Sequence, residues 1–252
     1  MRRARDEDSR VRALRWVVGT IGELLITFGL LLLLFVAWQL WWTDVTANRE
    51  QAVAIQALER GFTHDAYLPD PSPTPEPEAT AIPLATLKIP PVGQAFAIVR
   101  IPRFGADYAR PVLQGTEHDM LGKGVGHYVG TALPGQIGNF ATAGHRTTYG
   151  KPYADIDQLR PGDFIVIETK ANYIVYAVQR HVIVTPDHVD VIAPVPQRPG
   201  ATPTEAWMTM TACHPKFSAE KRYVVFSKLV RIFTRADGLP ASFMAVPAGA
   251  VG

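Results

Sequence analysis

The 252-residue chain holds a single cysteine, Cys213. One thiol excludes an intramolecular disulfide framework and any zinc or iron–sulfur centre built on several cysteines. Histidine is also sparse: of the seven, no two stand at i, i+4 or as His-x-His, the spacings that let one element grip a metal. No metal site and no cofactor are therefore expected. Charge of one sign is nearly absent. Residues 1–42 hold six arginines against four carboxylates, which accounts for the whole formal charge of +2, and residues 43–252 sum to zero. A neutral main body argues against a protein built to grip nucleic acid or another polyanion. No internal repeat is visible, which sets aside solenoid and propeller architectures.

What the chain does have begins with an apolar run. Residues 24–42 read LLITFGLLLLLFVAWQLWW, 19 residues without a charge. As a helix they extend about 30 Å, enough to cross the hydrocarbon of a bilayer. Trp38, Trp41 and Trp42 sit at the exit end, where an interfacial belt belongs. Arginines 2, 3, 5, 10, 12 and 15 precede the run, so residues 1–23 form a basic cytoplasmic segment and the remainder lies outside the cell. A cleaved signal peptide is the alternative, since Val45, Thr46 and Ala47 would suit a signal peptidase; the length and tryptophan content of the run favour an uncleaved anchor.

Residues 43–94 divide into two textures. Val53, Ile55 and Leu58 fall at helical spacing in a short juxtamembrane stretch. Residues 68–78 then read LPDPSPTPEPE, and Pro83, Pro90 and Pro91 follow. Alternating proline blocks helix and sheet and favours extended polyproline II. At about 3.1 Å per residue, positions 68–93 could reach about 80 Å as a stalk. A proline-rich ligand for an SH3-like partner is the rival reading.

From residue 95 to 233 the pattern becomes short runs of Val, Ile, Tyr and Phe between turn residues. The expected strands are 96–101, 108–113, 139–144, 163–168, 173–184, 207–213 and 223–232, with a short helix at 117–121 capped by Thr116. The fold class is all-β with short helices. Runs such as Tyr223 to Phe226 are apolar on both faces, which suits a closed barrel with partly covered outer walls. Residues 234–252 read as a disordered tail.

Cys213 closes a strand, shares a face with Thr209 and Thr211, and is followed two residues on by Pro215, which cannot continue a ladder. Most lone cysteines are small buried hydrophobes; a nucleophile needs a base or a cation beside it and donors for a developing oxyanion. His145 is the histidine to notice, because it follows a strand of small residues, Ala141 to Gly144. His214 is adjacent to Cys213 but points to the opposite face. If 207–213 and 222–232 are hairpin partners, Arg222 comes beside Cys213. Lys221 and Arg146 are weaker candidates for the same cation.

Three segments carry a resemblance: AGHRTTYG at 143–150, TMTACHP at 209–215 and FSAEKRYVV at 217–225. In this order and separation they resemble the sortase family, the transpeptidases of Gram-positive cell surfaces, and most closely its class E, the actinobacterial housekeeping type. The resemblance covers residues 95–232 and implies an eight-stranded β-barrel. It implies Cys213 as nucleophile, His145 as the family's histidine and Arg222 as its arginine, with Thr211, Ala212 and Tyr149 touching substrate. The implied reaction cleaves a C-terminal sorting motif of LAxTG or LPxTG type between Thr and Gly through a thioacyl intermediate. The implied partners are surface proteins bearing that signal and a cell-wall amine acceptor. Where the family usually has Thr before the cysteine, this chain has Ala212. Two rivals stand beside this reading. An L,D-transpeptidase would need a Ser-x-Gly-Cys context, absent here. A non-catalytic membrane-tethered β module would leave Cys213 unreactive.

Overall fold

The structure, a computed structural model, describes residues 2–62, 88 and 90–249. Helix α1 runs Arg2–Gly61. No proline occurs before Pro69, and leucine, arginine and alanine are the commonest residues, all good helix formers, so nothing interrupts the helix. The chain divides into two compact units between Thr43 and Asp44. In the first, Leu24, Leu25, Phe28, Phe35 and the tryptophans of the apolar run are exposed, and one stretch is long and apolar enough to cross a membrane.

The second unit is a closed eight-stranded barrel. Its strands are β1 (Ala95–Arg100), β2 (Ala109–Gln114), β3 (Val125–His127), β4 (Gly138–Ala143), β5 (Phe164–Glu168), β6 (Asn172–Val184), β7 (Ala206–His214) and β8 (Lys221–Thr234). The order around the barrel is β1-β2-β3-β4-β7-β8-β6-β5. Pairs β2–β3 and β4–β7 are parallel and the others antiparallel. Helix α2 (His118–Leu121) links β2 to β3, with Glu117 rather than Thr116 at its N-cap position and no side-chain cap bond. Strand β3 escapes sequence reading because it is three residues long and centred on a glycine.

The two-faced apolar strands have a simple cause: both faces of the wall are covered. Inside, Phe140, Met208, Met210, Ile165, Ile174 and Val225 fill the barrel. Outside, Val224 and Phe226 of β8 lie under Val191 and Ile192 of the 185–205 connection. On another flank, Val166, Tyr173 and Val175 are covered by Leu239, Phe243 and Met244. The tail expected to be disordered is thus folded as far as residue 249, because Leu239 is wholly buried and Ala248 O accepts from Arg103 Nη1 at 3.2 Å. Burying a leucine contributes about 2 kcal/mol, which a disordered tail would forfeit.

The third cover is the lower part of α1. Ile55, Leu58 and Phe62 pack on Ile98 and Ala109, and Glu59 pairs with Arg100 at 3.0 Å. Juxtamembrane residues 44–62 are therefore part of the barrel unit. Residues 63–87, most of the proposed proline-rich stalk, lie outside the described residues.

Candidate active site

Strands β4, β7 and β8 are neighbours, and the β7–β8 register brings Cys213 and Arg222 level. Ala143 pairs with Thr211 across the parallel β4–β7 ladder, and Gly144 N donates to Thr211 O at 3.1 Å. His145 follows two residues beyond that last pair, where the same register, if extended, would set it level with Cys213. Cys213 is in turn the direct partner of Arg222 across β7–β8. Directly opposed residues share a face, with Cβ atoms about 4.5–5.5 Å apart. Alternation along β7 sends Met208, Met210 and Ala212 into the barrel core, and Thr209, Thr211 and Cys213 to the other face.

Cys213 is half-buried with a free thiol. His145 is half-buried too, and its Nε2 is shielded from water without a hydrogen-bond partner among the described residues. Its ring lies 5.1 Å from that of Tyr149 and 5.8 Å from that of His118, centroid to centroid. Burial, and then the neighbouring His118, push the His145 pKa below the ordinary imidazole value. A neutral imidazole at pH 7 can accept a proton from a thiol or an amine. Arg222 Nη1 donates to Ala219 O at 2.9 Å and to Lys221 O at 3.0 Å, which anchors one edge of the guanidinium to the β7–β8 connection. Its Nε and Nη2 carry no bond among the described residues.

Arg146 faces the other way. Its Nη2 meets Asp157 Oδ2 at 2.5 Å, and its Nη1 donates to His214 Nδ1 at 2.9 Å and reaches Cys213 O at 3.5 Å. The side chain is 3% exposed. A weaker candidate for the oxyanion cation is thus committed to a structural role, tying the residue after His145 to the residues at the end of β7. Gly144 completes the seat. A Cβ there would meet Tyr153 ring carbons at 2.7, 2.9 and 3.2 Å, and Tyr153 N donates to His145 O at 3.0 Å.

The expected substrate-touching residues separate. Tyr149 lies beside His145 with its ring tilted 31° to the imidazole. Thr211 is buried, donating to Thr142 O at 3.1 Å and bonded to Tyr128 OH at 3.0 Å. Ala212 sits 3% exposed in the barrel core, on the face opposite Cys213. The missing hydroxyl there belongs to barrel packing, because strand alternation turns position 212 inward. His127 is a core histidine: its Nδ1 meets Gln114 Oε1 at 2.6 Å and its Nε2 lies 3.0 Å from Ala132 O. Burial lowers its pKa to about 4. His181 stacks on Tyr223, and His188 lies 3.5 Å from Asp190. His118 was not singled out from sequence. It stands 27 positions from His145, and no local pattern marks the meeting of α2 with the 145–151 loop.

Comparison with known proteins identifies the family of the barrel. A family model described as the sortase domain matches residues 99–230. Sortase SrtE1 of Streptomyces coelicolor is 36% identical over 246 residues, covering 94% of this chain and 63% of that protein. Sortase SrtE2 of the same organism is 30% identical over 243 residues, covering 94% of this chain and 90% of that protein. The chain thus spans just under two thirds of the first relative and nine tenths of the second. The structure of sortase E from Streptomyces avermitilis superposes with a TM-score of 0.55 at 38% identity, over 60% of this chain and 98% of that one.

Proposed function

The chain belongs to the sortase family, and on that premise we propose that it is a membrane-anchored cysteine transpeptidase acting on C-terminal sorting signals. What supports the reading most is the direct pairing of Cys213 with Arg222 across β7–β8, with His145 two residues past the end of the neighbouring β4 and its Nε2 unpartnered among the described residues.

In the first half-reaction, Cys213 Sγ attacks the carbonyl carbon of the Thr–Gly bond. The thiol proton passes to His145 Nε2, and Arg222 donates to the oxyanion. Collapse breaks the C–N bond, and His145 returns that proton to the leaving glycine amine. A thioester remains on Cys213. In the second half, a cell-wall amine attacks the thioester, His145 takes its proton, and the thiolate departs to be reprotonated. A lowered His145 pKa suits this sequence, because the imidazole must be free to accept before it can donate.

The apolar run of α1 supplies the anchor. With the arginines on the cytoplasmic side, the barrel faces the cell exterior, where sorting substrates and wall amines are found. The non-catalytic reading leaned on Ala212, and that residue faces the core.

The test is direct. Incubating the protein with LAxTG and LPxTG peptides should leave a mass increment on Cys213 equal to the acyl fragment. Cys213→Ala should abolish cleavage, and His145→Ala and Arg222→Ala should each lose at least about 10²-fold in kcat/KM. Wild-type turnover in any of the three would refute the role assigned to it.

A further inference from the structure

The loop that carries His145 does not hold its shape alone. Tyr149, Gly150 and Lys151 follow one another with φ of 55°, 74° and 48°. For the two residues with a Cβ, this left-handed backbone costs about 1–2 kcal/mol each. Such a run persists only where its surroundings over-determine it.

Here the surroundings are helix α1. Asp44 Oδ1 accepts a bond from Gly150 N at 3.1 Å, and its Oδ2 pairs with Lys151 Nζ at 2.7 Å. Two turns along, Gln51 is 2% exposed and donates from Nε2 to Tyr149 O at 3.1 Å. Asn48 stands between them, and a Cβ on Gly150 would meet Asn48 Oδ1 and Gln51 Nε2 at 2.8 Å each. Positions 44, 48 and 51 follow the i, i+4, i+7 spacing of one helix face. From the barrel wall, Arg110 adds a longer contact, Nη2 to Gly150 O at 3.4 Å. The Tyr149 ring then lies against both His145 and His118.

We propose that residues 44–51 of α1 are a positioning element for the reaction, holding the 149–151 turn in its left-handed form and so setting the His145 imidazole against Cys213. The juxtamembrane helix is then more than a tether: the barrel turns over at full rate only with that helix docked. This rests on the reading of His145 as the acid–base group.

The experiment uses the full chain in detergent micelles and two variants, Gln51→Leu and Asp44→Ala, with Asp44→Asn as the conservative partner. Gln51 Oε1 is buried without a hydrogen-bond partner, so leucine removes the donor at little cost to folding. Both variants should lose about tenfold in kcat on a sorting peptide with KM within about twofold, as expected of a misplaced catalytic group. Asp44→Asn keeps the acceptor for Gly150 N and should restore most of the rate. Hydrogen exchange at amides 145–151 should quicken in the first two variants. Unchanged kcat in both, or a loss confined to KM, overturns the proposal, and so does unchanged exchange. A wild-type chain that cleaves no sorting peptide refutes the transpeptidase reading instead, and exchange at 145–151 then decides whether the helix holds the turn.

Discussion

Gly144→Ala adds one methyl group where the structure has no room for it. The new Cβ would stand 2.7, 2.9 and 3.2 Å from three ring carbons of Tyr153, against about 3.5–4.0 Å for carbon atoms in contact. The ring would have to retreat by most of an ångström. Tyr153 is wholly buried, its hydroxyl is 2.9 Å from Thr142 Oγ1, and its backbone N–H holds His145 O. Overpacking of this kind costs about 1–3 kcal/mol. In a domain of this size each kcal/mol lowers Tm by about 2–4 °C, so a fall of about 4–8 °C is expected for the middle of that range. The activity loss should exceed what stability explains, because the residue carrying the displaced ring holds the His145 carbonyl through its backbone N–H, and a misplacement near 1 Å can cost about 10²-fold. The assay pairs thermal melts with peptide cleavage well below Tm. Tyr153→Leu in the Gly144→Ala background should recover part of the lost stability, and the double-mutant cycle should show coupling of at least about 0.5 kcal/mol. Wild-type Tm and turnover in Gly144→Ala would refute the account of how His145 is seated.

Arg146→Met should lower stability by about 1–2 kcal/mol, since it strips His214 of its donor and leaves the partly exposed Asp157 without its cation; a shift under about 0.5 kcal/mol in urea unfolding would contradict that role. His127, with a folded pKa of about 4 against about 6.5 when unfolded, is neutral in the fold at pH 7. The unfolded chain therefore takes up the proton first as pH falls. The stability is complete above about pH 6.5 and declines by up to about 3 kcal/mol as pH drops to about 4. Melts between pH 4.5 and 7.5 should show a weaker acid dependence in His127→Gln, and identical slopes would exclude His127 as the source.

Much of the architecture could be read from local pattern. The leucine run marks the apolar helix by its length, and the β-branched and aromatic runs locate seven of the eight strands to within one or two residues. Cys213 at a strand end, and Arg222 across a presumed hairpin, follow from alternation and loop length. The folded tail did not, because Leu239 and the short run from Phe243 to Val246 are set among turn formers with no helical or strand period, and only the uncovered wall of β5 and β6 gives Leu239, Phe243 and Met244 a place to bury. Nor did the inward turn of Ala212 stand out beside the motif it interrupts.

By itself, the sequence determined which side chains could do chemistry and where the apolar helix and strands would form, because composition and periodicity act over a few residues. The meeting of His118 and Tyr149 with His145, the commitment of Arg146 to Asp157 and His214, and the grip of Asp44 and Gln51 on the 149–151 turn were decided by tertiary structure alone. Those contacts join residues up to about a hundred positions apart, and only the closure of the barrel and the docking of the helix bring them within hydrogen-bonding range.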